Sequence, residues 1–399
     1  MVKQHLAGPQ TSKSSTAQIV EVVRDLAYVQ WDPVSIVGPS HLISFWSRIG
    51  GFRPSDLERV MWREKRVFEH WTPIASLVAA EDYPLFYTLM KKYPNSLSGS
   101  WKSQAVTASE FLAEHVELRK KVLKELERGP RQASEFAERR ETKKSDDGWS
   151  TQSPVALMLY HLHMSGEVMV VGHQGNQNVW GLSVDFLPSW VKREELSWDL
   201  FERSAAQRAI RALGTATRIE IKYYFVRGRY NRLRETLADL EEESVIHRVV
   251  TDAPGVKEPV YVHDKDVALL DSMSKVSWKP SARLISPFDN LNHGRRWTNR
   301  VFGFDYVHEQ FLPKEKRKYG TYVLPVLWGD RLVGRIDPRM DKQAKRLIVN
   351  AVHAEPGAPK GGEVGVAIRE EVERLAEFLG AGEATYTDRV PDEWKSSLR

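Results

Sequence analysis

The predicted fold is organised around an apolar stretch that carries an amide and a carboxylate two residues apart: Leu26-Ala27-Tyr28-Val29-Gln30-Trp31-Asp32-Pro33-Val34-Ser35-Ile36-Val37. On a helix, Gln30 and Asp32 would face different surroundings. On extended backbone they share one side, and Trp31 turns the opposite way into the core. Pro33 favours the extended form because its ring disfavours helical geometry at the preceding residue. We therefore expect both polar side chains to converge on one spot at the end of a helix.

Two explanations account for polar groups in such a stretch. Burying an amide or a carboxylate costs free energy unless the group is hydrogen-bonded or takes part in function. In the functional explanation, Gln30 and Asp32 form a site. In the structural explanation, Asp32 caps the following helix and Gln30 bonds to the backbone. The stretch by itself leaves both open.

The composition limits the class of protein. With 399 residues the chain exceeds what one core needs, which predicts roughly two to four modules. No apolar run approaches the ~20 residues of a membrane helix, and the first residues lack the apolar centre of a signal peptide, so we expect a cytoplasmic, nucleoid-associated protein. Cysteine is absent, which excludes disulfides, thiol catalysis and cysteine-ligated metal sites. We predict neither a cofactor nor a metal.

Basic residues are grouped around aromatic ones, although the net charge is only +5. The groups are Arg227, Arg229, Arg232 and Arg234; His293, Arg295, Arg296 and Arg300; Lys314, Lys316, Arg317 and Lys318; and Arg339, Lys342, Lys345 and Arg346. Any one group is equally typical of a solvated face. Four together favour binding to a polyanion such as nucleic acid.

The order of predicted elements indicates an α+β protein. After a flexible leader (1–15), we predict three tandem winged helix-turn-helix modules over 16–105, 106–197 and 198–280. The second is the clearest, because Ser153-Pro154 begins a helix in the usual cap arrangement and a hairpin with a glycine-rich tip follows it. Short alternating strands then predict a small antiparallel β-barrel with a closing helix over 281–399.

Three narrower predictions concern individual elements. Periodicity predicts one long helix over Glu110–Arg128 and a shorter helix over Arg131–Arg140. The apolar run Val301–Phe304 predicts a strand of the barrel.

Familiar catalytic motifs are missing from the sequence. It contains no Walker loop, dinucleotide-binding glycine pattern, nucleophile elbow or HExxH motif. His161 and His163 diverge on the predicted helix, which favours core or surface roles over metal binding.

Several separated stretches in the same order resemble the AlkZ/YcaQ family of bacterial DNA glycosylases, over nearly the whole chain. They are Val29–Val37, Leu42–Arg48, Phe68–Trp71, Pro287–Leu291, Phe302–Tyr306, and Pro313–Pro325 continuing through Gly329–Asp337. The resemblance implies three winged helices and a C-terminal barrel around a DNA-binding concavity.

The resemblance also implies the catalytic residues. The family signature is glutamine, an apolar residue, then glutamine or aspartate, and Gln30-Trp31-Asp32 matches the aspartate branch, with a larger middle residue than usual. That branch excises N7-alkylguanines broadly and unhooks interstrand crosslinks. We therefore expect Asp32 to stabilise an oxocarbenium-like sugar and activate water, and Gln30 to orient that water.

The expected partner is double-stranded DNA with an alkylated or crosslinked guanine, bound by a monomer. The residues predicted to bind its phosphates are Arg295, Arg296, Lys316, Arg317 and Lys318. The segment Pro313–Gly320 is predicted to be a hairpin that probes a groove.

Other classes of protein remain open at this stage. A winged-helix transcription regulator without catalytic activity explains the basic groups and hairpins but gives Gln30 and Asp32 no role. A nuclease would need a metal-binding carboxylate cluster that the sequence does not supply. A lyase-type glycosylase would form a covalent adduct that borohydride traps.

Overall fold

The computed structural model describes residues 1–8, 10, 14–33, 36–72, 74–97, 102–136, 153–251, 256, 258–273, 279–292 and 294–398. None of the helices in this part of the chain has both the length and the apolar character that crossing a membrane requires.

The prediction of a flexible leader is wrong for residues 1–8, which are folded against the rest of the protein. Leu6 is buried, and the buried Gln4 donates a hydrogen bond to the Ala212 carbonyl at 2.6 Å. Lys3 forms an ion pair with Asp266 at 3.1 Å. The small and polar residues of this segment did not predict its folded state, because the contacts that order it come from distant parts of the chain.

The first group of elements forms a three-stranded antiparallel sheet with its helices: α1 (Thr16–Leu26), β1 (Val29–Gln30), α2 (Ser40–Trp46), α3 (Pro54–Glu58), β2 (Val67–Trp71), β3 (Ala75–Ala79) and α4 (Tyr83–Lys91). A capping box between Ser15 and Gln18 begins α1, and Ala27 ends it in the left-handed region at φ 65°. The sheet order is β1-β3-β2.

The second group repeats this order of strands: α5 (Lys102–Glu114), α6 (Val116–Leu126), β4 (Arg131–Gln132), α7 (Pro154–Met164), β5 (Val168–Gln174), β6 (Gln177–Leu182) and α8 (Ser183–Phe186). The sheet order is β4-β6-β5, and the predicted helix cap at Ser153 and the hairpin are both present.

Two helix predictions in this group are wrong. The single helix predicted over Glu110–Arg128 is broken between α5 and α6 at His115, whose ψ of 38° is not helical. The helix predicted over Arg131–Arg140 begins instead with β4, followed by a 3-10 turn over Ala133–Glu135; residues 137–140 lie outside the described residues. Pairing of Arg131 with Trp180 at the sheet edge outweighs the local helical preference.

The third group has the same arrangement: α9 (Trp198–Leu213), β7 (Ala216–Thr217), α10 (Arg218–Tyr224), α11 (Leu233–Glu242), β8 (Ile246–Val249), β9 (Val260–His263) and α12 (Asp264–Met273). Its sheet order is β7-β9-β8. A capping box between Thr217 and Glu220 begins α10 directly after the short strand.

The remaining elements build a larger sheet: β10 (Ala282–Leu284), α13 (Arg295–Phe302), β11 (Leu324–Trp328), β12 (Arg331–Asp341), β13 (Arg346–Ala354), α14 (Gly362–Phe378), β14 (Glu383–Tyr386) and α15 (Lys395–Leu398). The five strands follow the order β10-β11-β12-β13-β14, and β14 runs parallel to β13.

This sheet is a curled half-barrel that does not close, so the prediction of a small antiparallel β-barrel is wrong. Its edge strands β10 and β14 are short and do not pair with each other. Helix α14 contacts both of them. The strand predicted over Val301–Phe304 is also wrong, because α13 continues to Phe302 and Gly303 ends it at φ 62°. The hairpin predicted over Pro313–Gly320 is instead a loop that contains a 3-10 turn at Lys314–Lys316.

The stretch after α1 lies between two cores. Tyr28 packs in the core shared with the third group, whereas Val29 packs in the core that includes the C-terminal sheet. Trp31 packs against the same core as Val29. This alternation is what extended backbone produces, and it leaves Gln30 on the side of Tyr28.

Candidate active site

Gln30 lies on extended backbone in β1, just beyond the end of α1, as the sequence predicted, and Asp32 follows two residues later in the loop. Gln30 pairs with Ser76 of β3, and the Trp31 amide donates to the Ala75 carbonyl at 2.8 Å. Both Gln30 and Asp32 are half-buried. Neither is sealed in a core, so both remain accessible to a bound molecule.

The structural explanation for these residues is not what the structure shows. The N-cap of α2 is Pro39, and no side chain caps that helix. The main-chain carbonyl of Asp32 instead accepts a hydrogen bond from the Ser40 amide at 3.0 Å, which connects the loop to the start of α2. The backbone of the loop is thus fixed without using the carboxylate as a helix cap.

Trp31 is held between two imidazole rings on the opposite side of the loop. It stacks on His41 with centroids 3.9 Å apart and on His173 with centroids 4.9 Å apart. Since His173 belongs to β5, this stack joins the loop to the second group of elements. The Nε2 of His173 hydrogen-bonds Glu69, which ties the ring back to β2.

His41 fixes the loop as a neutral donor. Burial lowers the pKa of His41 to about 4, and its hydrogen bond with the Asp32 carbonyl opposes that shift only in part. The ring is therefore uncharged near neutral pH, and its Nδ1 lies 3.2 Å from the Asp32 carbonyl oxygen. In the tautomer that carries a proton on Nδ1, this nitrogen donates to the carbonyl.

Asp32 interacts electrostatically with Tyr322, a buried residue of the C-terminal part of the chain. Burial raises the pKa of the Tyr322 hydroxyl, and the negative charge of Asp32 acts in the same direction. The Asp32 carboxylate is therefore close enough to Tyr322, in the segment that precedes β11, for the two groups to interact electrostatically.

A cavity of about 290 Å³ opens beside Gln30. Tyr28 and Gln30 contribute one wall, as expected for alternate residues of extended backbone. Arg227, Phe288 and His308 also line the cavity. The cavity is therefore built jointly by the first group, the third group and the C-terminal part of the chain.

Buried polar contacts hold these three parts together. Arg48 and Asp289 form a bidentate ion pair with N–O distances of 2.6 and 2.8 Å, and neither side chain is exposed. Asn290 donates to the Tyr28 carbonyl at 3.0 Å and to the Tyr224 hydroxyl at 2.9 Å. These contacts fix the backbone immediately before Gln30.

Sequence reasoning missed these positioning residues and most of the cavity wall. The segment Pro287–Leu291 was recognised as a matching stretch, but it carried no predicted role. The sequence around His308 indicated no role for that residue. Arg227 was noticed only as a member of a basic group, and the signal that places it in the cavity is tertiary.

The residues predicted to bind phosphates differ in their surroundings. Arg296, Lys316 and Lys318 are exposed. Arg295 is exposed but paired with both carboxylate oxygens of Asp305. Arg317 is half-buried and donates to the Leu312 carbonyl at 2.9 Å and to the Thr321 hydroxyl at 3.0 Å, so it holds its own loop together.

Comparison with known proteins defines the class as DNA glycosylases, hydrolases that cleave the N-glycosyl bond between base and sugar. Residues 23–378 match the family described as DNA glycosylase AlkZ-like, and the chain belongs to that family. As a member it binds DNA. Family membership excludes the alternative of a transcription regulator without catalytic activity.

A solved structure has the same overall fold. Streptomyces sahachiroi DNA glycosylase AlkZ is 18% identical, and the match covers 98% of this chain and 97% of that one with a TM-score of 0.64. At this identity the likeness concerns the fold alone.

Proposed function

We propose that this protein is a monofunctional glycosylase that releases N7-alkylguanine from double-stranded DNA, including guanines joined in interstrand crosslinks. The observation that carries the proposal is the loop itself. It presents an amide and a carboxylate, both half-buried, from β1 and the residues that directly follow it, and this segment is anchored by strand pairing and by the stacking of Trp31. Gln30 also lines a cavity beside the loop.

The chemistry of the lesion suits this pair of side chains. Alkylation at N7 makes the guanine cationic, so breaking the C1′–N9 bond returns an electron pair to the ring and releases a neutral base. No general acid is needed. The developing charge on the sugar is positive and oxocarbenium-like, and the carboxylate of Asp32 stabilises it electrostatically.

Water completes the reaction. Its oxygen bonds to C1′ while its proton passes to Asp32, which acts as general base. The Gln30 amide orients this water with one donor and one acceptor group. The products are the free alkylated base and an abasic site. No amine nucleophile takes part, so the strand is not cut.

The architecture supports binding along duplex DNA. All three small sheets have the same order, with a short first strand beside the last strand of a hairpin, and this shared order supports a proposal of winged-helix modules. We propose three such modules over 16–105, 106–197 and 198–280, followed by the half-barrel unit over 281–399, acting as a monomer. Arg295, Arg296, Lys316 and Lys318 contact phosphates, which carry most of the salt-dependent affinity. Arg317 supports the loop that presents its two neighbours.

The direct test is base release from defined duplexes that carry one 7-methylguanine or one N7-linked interstrand crosslink. The intact protein is expected to release 7-methylguanine and to separate the crosslinked strands. Gln30→Ala and Asp32→Asn should both lose activity, whereas Asp56→Asn, a matched carboxylate change in α3, should not. No release by the intact protein, or full activity in Asp32→Asn, would overturn the proposal.

A further inference from the structure

The ring of His173 lies against Trp31, the residue between Gln30 and Asp32. The two ring planes are 9° from parallel, and their centroids are 4.9 Å apart. His173 belongs to β5 of the second group, whereas the loop and the His41 ring that also stacks on Trp31 belong to the first group. The stack on His173 therefore connects the loop that carries the two candidate catalytic side chains to a separate part of the fold.

Glu69 holds the His173 ring in this position. Glu69 pairs with Leu77 of β3, which also pairs with Val29 of β1, so these three side chains point to the same face of the sheet. Trp31 follows Val29 by two residues and shares that face. The Glu69 carboxylate accepts a hydrogen bond from the Nε2 of His173 there. The first group thus contacts one imidazole of the second group with both an indole and a carboxylate.

The surroundings of His173 restrict its movement. Only 19% of the His173 side chain and 10% of the Glu69 side chain are exposed. The edge of Trp62 packs against the His173 ring, with centroids 5.6 Å apart. A hydrogen bond that is largely withdrawn from water is electrostatically stronger than an exposed one. The imidazole is therefore a fixed surface against which Trp31 rests.

We propose that His173 is a positioning residue for base release: its stack on Trp31 fixes the directions of Gln30 and Asp32, and Glu69 orients the ring. This inference rests on the proposed function and adds to it a requirement for the second group of elements in the catalytic step. Gln30 and Asp32 flank Trp31 directly, so a shift of the indole moves the main chain of both. Misplacing a catalytic group by about 1 Å can lower a rate roughly 10²-fold.

The experiment separates the rate of base release from the affinity for DNA. Single-turnover release of 7-methylguanine is measured over a range of enzyme concentrations, which gives the maximal rate and the half-saturating concentration. His173→Leu, which removes both the ring and the hydrogen bond, should lower the maximal rate about 10–100-fold and leave the half-saturating concentration unchanged. His173→Phe, which keeps a flat ring without the hydrogen bond, should recover most of that loss.

Two further variants test the role of Glu69 and supply a control. Glu69→Leu should slow release about as much as His173→Phe, and adding it to His173→Leu should slow release no further, because Glu69 acts through that ring. His247→Leu is the matched control, since His247 lies in β8, the strand of the third group that corresponds to β5, and its Nε2 hydrogen-bonds Asp264 at 2.9 Å. It should release base at the wild-type rate.

Several results would overturn the inference while leaving the proposed function standing. One is a folded His173→Leu variant with the wild-type maximal rate. Another is a variant that binds more weakly but keeps that rate, because His173 would then be a DNA contact. A His173→Phe variant as slow as His173→Leu would exclude the stack as the cause. If His173→Leu does not fold, Glu69→Leu decides: a lower maximal rate at unchanged affinity supports the inference, and an unchanged rate overturns it. A wild type that releases no 7-methylguanine would overturn the proposed function and this inference with it.

Discussion

Arg48→Met should destabilise the protein far more than a matched change in an exposed ion pair. The guanidinium of Arg48 meets both oxygens of Asp289, and neither side chain is exposed. Removing the arginine leaves a carboxylate buried without its partner, which costs about 3–5 kcal/mol. At about 2 °C per kcal/mol for a protein of this size, the midpoint of thermal unfolding should fall by roughly 6–10 °C.

The matched control is Arg24→Met, since Arg24 also forms a bidentate pair, with Glu81, but both side chains are about 40% exposed. Solvent screening limits such a pair to about 1 kcal/mol. Thermal and urea unfolding of both variants supply the measurement. In Arg48→Met/Asp289→Leu, much of the stability should return, because no buried charge remains. A drop no larger in Arg48→Met than in Arg24→Met would refute the reasoning.

Arg48→Met should also lower the rate of base release. Asp289 lines the cavity beside Gln30 and accepts a hydrogen bond from the Leu291 amide at 3.0 Å. Loosening it should therefore slow base release at temperatures where the variant is still folded. Slowed release together with unchanged affinity for undamaged duplex is the expected pattern.

Three further predictions concern pH, salt and the type of glycosylase. Burial lowers the pKa of His163 to about 4 from its ordinary value of 6.5. As the pH falls, the unfolded chain is therefore protonated at His163 before the folded protein is, and the free energy of unfolding should fall from pH 6.5 to pH 4. Urea titrations should give a shallower fall for His163→Leu. Lys316→Ala and Lys318→Ala should each weaken binding and reduce the salt slope by about 1, whereas Arg317→Ala should chiefly lower thermal stability. Borohydride should trap no covalent adduct on damaged DNA, and release should continue in EDTA.

Local features of the sequence predicted the position of the candidate site. Pro33 and the two-residue spacing predicted extended backbone for Gln30 and Asp32, and the structure has strand pairing at Gln30 that continues to the Trp31 amide. The hairpin of the second group was equally local, because a glycine-containing tip joins two short apolar strands. Such features depend on residues that are neighbours in the chain, so they can be predicted from a single sequence.

Features that depend on distant residues were not predictable. Arg48 and Asp289 are 241 residues apart, and Asn290 is 262 residues from Tyr28. The folding of residues 1–8 and the open edge of the C-terminal sheet depend in the same way on distant partners. At Val301–Phe304, β-branched and aromatic residues favoured a strand locally, but α13 extends through Phe302 and ends at Gly303.

The measurement closest to the central claim is the single-turnover rate of 7-methylguanine release by Asp32→Asn, with the enzyme in excess over the duplex. Loss of a general base and of charge stabilisation predicts a rate about 10²–10⁴ times lower than in the wild type, with unchanged affinity for the damaged duplex. A rate within a few-fold of the wild type would contradict the assignment of catalysis to this carboxylate.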